Sequence, residues 1–80
     1  MQDIVEARYL NGYVIWLRFE DGTVGEIDLG DELHGPVFEP LRDKGYFSVF
    51  RVNLDTGTIE WPNGADFAPE FLYQKVCVVA

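Results

Sequence analysis

Eighty residues carrying fourteen carboxylates, six basic side chains and a net charge of −8 make one small acidic unit. That charge repels a phosphate backbone and an anionic membrane surface, and no apolar run approaches the roughly 20 residues of a membrane span. A chain this short buries only about 60% of its unfolded surface, which leaves little room for a deep catalytic cleft.

The expectation is a single domain over residues 1–80, with twelve aromatic side chains thickening a thin core. The one cysteine, Cys77, has no second thiol to pair with. Residues 1–20 contain Asp3, Glu6 and Glu20 and lack an apolar signal core, so a cytoplasmic setting is expected.

Residues 3–10 and 13–19 read as two strands around Asn11-Gly12. A two-residue loop would oppose Leu10 to Tyr13 and put Ile15 and Leu17 on one face with Glu6 and Arg8. A three-residue loop of Leu10-Asn11-Gly12, with Gly12 left-handed, opposes Tyr9 to Tyr13, Ala7 to Ile15 and Val5 to Leu17. That register gathers the apolar residues on one face and is the expected one. A second three-residue loop at Glu20-Asp21-Gly22 continues the face, setting Phe19 against Thr23, Leu17 against Gly25, Ile15 against Ile27 and Tyr13 against Leu29. The opposite face carries Val14, Trp16, Arg18, Val24, Glu26 and Asp28. Trp16 is expected to pack beneath the second half of the domain; the competing reading makes it an interaction anchor.

A polar connection over residues 30–37 leads into one or two helical turns from Phe38 to Lys44, with Pro40 in the first turn and Gly45 as the stop. Residues 47–54 read as a strand, Asp55-Thr56-Gly57 as a three-residue loop, and residues 58–61 as the returning strand. Both faces of this ribbon are apolar: Val49, Ile59 and Trp61 compete with Phe50, Val52 and Leu54, as in a ribbon covered on both sides.

Trp61-Pro62-Asn63-Gly64 then ends the strand in a turn, since Pro62 cannot donate to a ladder and Asn63-Gly64 tolerates positive φ. Phe67, Phe71, Leu72 and Val76 recur at helical spacing. Pro69 suits the first helical position, Asp66 or Ala68 the cap, and Glu70 the positive end of the dipole. The fold class is therefore α+β, a small and mainly antiparallel sheet in the order strand-strand-strand-helix-strand-strand-helix. The tail over residues 76–80 has strand propensity, open to docking on a sheet edge, extending an interface or fraying.

The run Trp61-Pro62-Asn63-Gly64-Ala65-Asp66, followed by Pro69-Glu70 and Leu72-Tyr73, is joined upstream by Gly35-Pro36-Val37-Phe38 and Pro40-Leu41-Arg42-Asp43. Together these resemble the bacterial family called domain of unknown function 2442, over about residues 3–75. The resemblance implies a small α+β domain, found alone or fused ahead of a DNA-binding helix-turn-helix, and often encoded beside another small protein in a toxin–antitoxin-like arrangement. It points to Trp61, Asn63, Asp66, Glu70 and Tyr73 as the motif surface, although Asn63 and Gly64 are also explained by the turn itself.

Catalytic and metal chemistry find no constellation. His34 and Cys77 are far apart and lack ligand spacing, and Ser48 lies in a stretch read as regular strand. Glu60, Asp66 and Glu70, or Asp28, Asp31 and Glu32, could hold a hard cation but lack the alternation of a calcium loop. No catalytic, metal or cofactor-binding residue is assigned. The expected function is a non-enzymatic protein-interaction domain, the acidic member of a toxin–antitoxin-like or regulatory pair, with a small basic protein as partner and a homodimer through an exposed sheet edge as a further expectation. The alternative is a small-ligand sensor built on an aromatic pocket near Trp16, Trp61 and Tyr73, and a small enzyme comes third.

Overall fold

Alternation along the second strand sets the architecture: Ile15, Leu17 and Phe19 are buried, whereas Val14 and Trp16 are half-buried and Arg18 is exposed. In the computed structural model, which describes residues 2–78 and side chains through residue 76, this strand is the centre of a three-stranded antiparallel sheet. β1 spans Ile4–Asn11, β2 Val14–Phe19 and β3 Val24–Asp28, in spatial order β1-β2-β3. The β2–β3 register is the expected one, with Leu17 opposite Gly25 and Ile15 opposite Ile27, closed by Phe19 N–H donating to Thr23 C=O at 2.8 Å.

β1 is displaced by two residues from its expected register: Ala7 opposes Leu17 and Tyr9 opposes Ile15. The strand runs on to Asn11, which opposes Val14 across a turn at Gly12-Tyr13, and Gly12 is left-handed at φ 52°. Irregularities between Tyr9 and Asn11 and between Ile4 and Glu6 absorb the mismatch. A slide of two residues preserves side-chain parity, so Ala7 still packs against the core, but beyond the irregularity at Val5 the buried residue is Ile4 rather than Val5, and Tyr9 is 37% exposed.

The connection after β3 makes short 3₁₀ turns over Gly30–Glu32 and Glu39–Arg42, burying Leu33 and Leu41, and is followed by the helix α1 (Lys44–Phe47). The expected single helix ending at Gly45 is thus replaced by two short elements. Asp43 is the reason: its Oδ1 accepts Gly45 N–H at 2.9 Å, capping α1 and placing Gly45 inside the helix rather than at its stop. Phe47, expected to open a strand, closes this helix with its ring fully buried.

The ribbon is correspondingly short, β4 (Arg51–Asn53) pairing with β5 (Thr58–Glu60) in a separate two-stranded sheet. Leu54 belongs to a turn over residues 54–57, one residue longer than expected, and is 74% exposed. Of the two competing faces, Ile59 and Trp61 enter the core, Phe50 and Val52 pack half-buried against it, and Val49 is exposed. The ribbon joins the larger sheet where Ile4 N–H donates to Gly57 C=O at 2.8 Å.

The helix α2 (Pro69–Val78) crosses the inner face and buries Leu72 and Val76. Gly25 on β3 makes room for it, since a β-carbon there would stand 2.5 Å from Val76 Cγ1. Residues 76–78 form the last turn of this helix, with Val76 in the core at the helical spacing read for it, so the strand propensity of the tail is not realised there. Val79 and Ala80, the rest of the expected tail, lie outside the described residues. The fold is α+β, as the element order predicts.

Candidate functional site

The motif segment is a closed loop. Glu60 and Asp66 form an isolated antiparallel bridge; between them Trp61 N–H donates to Ala65 C=O at 2.9 Å and Gly64 N–H to Trp61 C=O at 2.9 Å. Gly64 takes φ 90°, and Asn63 holds the loop from both ends of its amide. Its Oδ1 accepts Ala65 N–H at 3.0 Å, and its Nδ2 donates to Val37 C=O at 3.0 Å, tying the loop to the connection that precedes the second 3₁₀ turn. Asn63, one of the five side chains to which the resemblance pointed, is thus occupied in structural bonds.

Trp61 turns inward. It is 2% exposed, its indole N–H donates to Phe47 C=O at 2.8 Å, and its ring lies 5.6 Å from Phe47 and 6.0 Å from both Phe50 and Phe67. A shallow groove of about 320 Å³ runs beside it, lined by Val49, Arg51, Glu60, Pro62 and Gly64 as well. Its charged groups are spent on one another, Arg51 pairing with Glu60 at 3.0 Å, while Asn53 Nδ2 donates to the other Glu60 oxygen at 3.0 Å. Asn53, then Arg51, holds the Glu60 carboxyl below the usual range.

Asp66 is exposed and does not cap α2; the first helical bond runs from Leu72 N–H to Ala68 C=O at 3.2 Å, making Ala68 the cap. Glu70 is exposed in the first turn, where a carboxylate complements the helix dipole. Tyr73 lies one face away, half-buried and edge-on to Phe19 at 5.0 Å, its hydroxyl donating to Asp21 Oδ2 at 2.6 Å. That bond, with further bonds from the Thr23 backbone and side chain, lowers the Asp21 carboxyl. A folded-state value below the unfolded one contributes stability above the ordinary aspartate range, near 3.8, and loses it as pH falls through the lowered value. Tyr73→Phe is therefore expected to destabilise the domain at neutral pH and to converge with the parent in strong acid, and a carboxyl NMR titration should find Asp21 moved back up. An Asp21 titration unchanged by the substitution would mean that the hydroxyl is not its main donor.

Trp16 lies on the outward face of the sheet, apart from the motif loop. It is half-buried and absent from the core cluster, so the expected packing beneath the second half of the domain is not what the chain does. Its cover is local: the Arg8 guanidinium stands 5.6 Å from the ring centroid, and Leu10 shares a shallow depression with both. In the expected register Glu6 would have opposed Trp16; the slide of β1 by two residues puts Arg8 there instead. Glu6 bridges Arg8 at 2.8 Å and Arg18 at 3.0 Å, and Arg8 first, then Arg18, pulls its carboxyl down.

The six candidate residues do not converge. Trp61 and Asn63 build the motif loop, Asp66 and Glu70 are exposed beyond it, Tyr73 secures α2 to the β2–β3 loop, and Trp16 faces away. The aromatic pocket expected near Trp16, Trp61 and Tyr73 does not form, because Trp61 fills the core while Tyr73 and Trp16 serve separate contacts. His34 is exposed, and among the described residues no three of His, Cys, Asp or Glu gather as a metal site. Sequence reasoning missed Asp21 and the Arg8–Trp16 contact; the first is visible only once α2 is placed, the second once the strand register is known.

Neither the curated proteins nor the solved structures contain a match to this chain. A family model described as protein of unknown function (DUF2442) matches residues 4–76, which takes in both sheets, the motif loop and nearly all of α2. The chain belongs to that family.

Proposed function

We propose that this chain is a non-enzymatic interaction domain that binds a basic protein through its acidic surface, acting in the cytoplasm as the acidic member of a toxin–antitoxin-like or regulatory pair. The observation that carries the reading is where the positive charge goes. Arg8 and Arg18 pair with Glu6, Arg51 with Glu60, and Lys75 with Glu32 at 3.2 Å. Arg42 donates to Leu33 C=O at 2.7 Å, and Lys44 lies 5.7 Å from the Tyr13 ring. All six bases are thus engaged within the chain, while among the described residues Asp31, Glu39, Asp66 and Glu70 have no cation beside them. An uncompensated acidic surface steers a basic partner into encounter and rejects acidic ones. The toxin–antitoxin element rests on the family resemblance alone.

The test is a tagged pull-down from an extract of the native host at low and high salt, with co-purifying proteins identified by mass spectrometry. A stoichiometric basic partner is expected at low salt and should be released at high salt, because exposed charge pairs are screened over about 8 Å at physiological ionic strength. Recovery of the domain alone under both conditions would count against the reading.

A further inference from the structure

Among the described residues, no element packs on the outward face of the three-stranded sheet, and the charges of that face follow an order that selects an occupant. Register fixes three cross-strand rows. The central row is Arg8, Trp16 and Glu26, one on each strand: a cation, an aromatic ring and an anion. Beside it run Glu6, Arg18 and Val24, and toward the hairpin tip Val14 opposes Asp28. Apolar area is present throughout, with Leu10 40% and Val24 51% exposed next to Trp16.

Two features distinguish this face from the rest of the surface. First, its charges nearly cancel: Arg8 and Arg18 against Glu6, Glu26 and Asp28 leave −1, so that −7 of the net −8 lies elsewhere. Two strongly acidic molecules can approach here with the least repulsion. Second, the central row is self-complementary. A two-fold axis parallel to β2 and passing above Trp16 exchanges the outer strands, bringing Arg8 of one copy over Glu26 of the other and stacking the Trp16 rings at the centre. The Arg8–Glu26 contact thus forms twice, as an isologous interface requires, and Arg18, which the same axis brings opposite its own copy, is paired in each copy with Glu6 at 3.0 Å.

We infer that this sheet face is a self-docking surface, and that two copies of the chain pack face to face through Trp16 with reciprocal Arg8–Glu26 contacts. It is separate from the acidic surface invoked for a basic partner and does not depend on it. The face is small: three strands about 4.8 Å apart and five or six residues at about 3.3 Å cover roughly 250–300 Å² on each copy. Standard interfaces bury about 1,200–2,000 Å² in total, so the dimer is a weak one.

The test is sedimentation equilibrium of the whole chain at about 0.15 M salt, where charge more than about 8 Å away is screened but contacting pairs are not. A monomer–dimer equilibrium is expected below millimolar concentration. Arg8→Glu and Glu26→Arg should each weaken it by roughly tenfold or more, since each sets like charges face to face twice. An equimolar mixture of the two variants should restore a heterodimer of roughly parental affinity, because both contacts between positions 8 and 26 become opposite-signed again. Net charge alone predicts a different pattern: Glu26→Arg, at −6 against the parental −8, would dimerise better than the parent. A chain that stays monomeric to millimolar concentration, variants that dimerise like the parent, or a mixture that fails to recover association would each overturn the inference. Circular dichroism and matching melting curves identify a variant that has lost its fold, and Trp16→Ala then replaces it as an uncharged disruption of the same contact.

Discussion

Trp61→Ala is expected to remove a large share of the stability of this domain. Truncating a buried tryptophan costs about 3–5 kcal/mol, whereas a small domain has only about 5–15 kcal/mol in total. Trp61 touches Phe47, Phe50 and Phe67, which come from α1, the residue before β4 and the approach to α2, so the cavity would open among three segments rather than inside one. Collapse around it is restricted, because Phe47 is also wedged between Tyr9 and Tyr13 at 6.1 and 5.4 Å. Trp61→Phe separates two contributions. It retains a ring but strands the Phe47 carbonyl, which accepts the indole N–H at 2.8 Å, and leaving a buried acceptor unpaired costs about 1–3 kcal/mol. Urea denaturation followed by circular dichroism should therefore rank the parent above Trp61→Phe and that above Trp61→Ala, at unchanged denaturant slope. Equal losses for the two variants would place the whole effect in the hydrogen bond; a loss below about 1 kcal/mol for Trp61→Ala would show that the motif tryptophan is not the joint between the two halves.

The same residue shows what was and was not legible in the sequence. A strand ending at Trp61-Pro62 and a turn at Asn63-Gly64 follow from proline's missing donor and glycine's tolerance of positive φ, both properties of single residues. The β2–β3 register was legible for a similar reason: one glycine loop and one apolar face permit one pairing. The β1–β2 register was not, because a shift of two residues leaves every side chain on its face and alternation alone cannot see it. Residues 38–54 depart from their pattern because Gly45, a residue type suited to a helix stop, is drawn by Asp43 two residues earlier into a capped first turn. Phe47 could then belong to a helix, and the alternation beyond it was too short to say otherwise. The face inferred to dock a second copy lay further out of reach. The motif is dense in the sequence because its loop is demanding to build, with Asn63 and Trp61 both engaged in the fold. The row of Arg8, Trp16 and Glu26, by contrast, has neighbouring members ten or fewer residues apart that carry no local signal and meet only through strand pairing.

Gly57→Ala is the second substitution with a large expected effect, because two penalties coincide at one atom. Gly57 is left-handed at φ 74°, a conformation that costs an L-residue about 1–2 kcal/mol. A β-carbon there would also stand 2.5 Å from Asp3 Cγ and Oδ1, and overfilling a packed site costs about 1–3 kcal/mol. The backbone cannot easily retreat, since Gly57 C=O accepts Ile4 N–H at 2.8 Å and Gly57 N–H donates to Asn53 C=O at 2.8 Å. Moving the turn would therefore break the connection between the ribbon and β1. The expected loss is about 2–5 kcal/mol, read by urea denaturation. Gly64→Ala isolates the conformational part, because Gly64 is also left-handed at φ 90° but a β-carbon there would meet nothing within 4 Å; it should cost only about 1–2 kcal/mol. Placing Gly57→Ala in an Asp3→Gly background removes the obstructing side chain, and the penalty should then fall to that of Gly64→Ala. If the loss is the same in both backgrounds, strain alone accounts for it and the close approach of Asp3 is not what requires glycine at the junction of the two sheets.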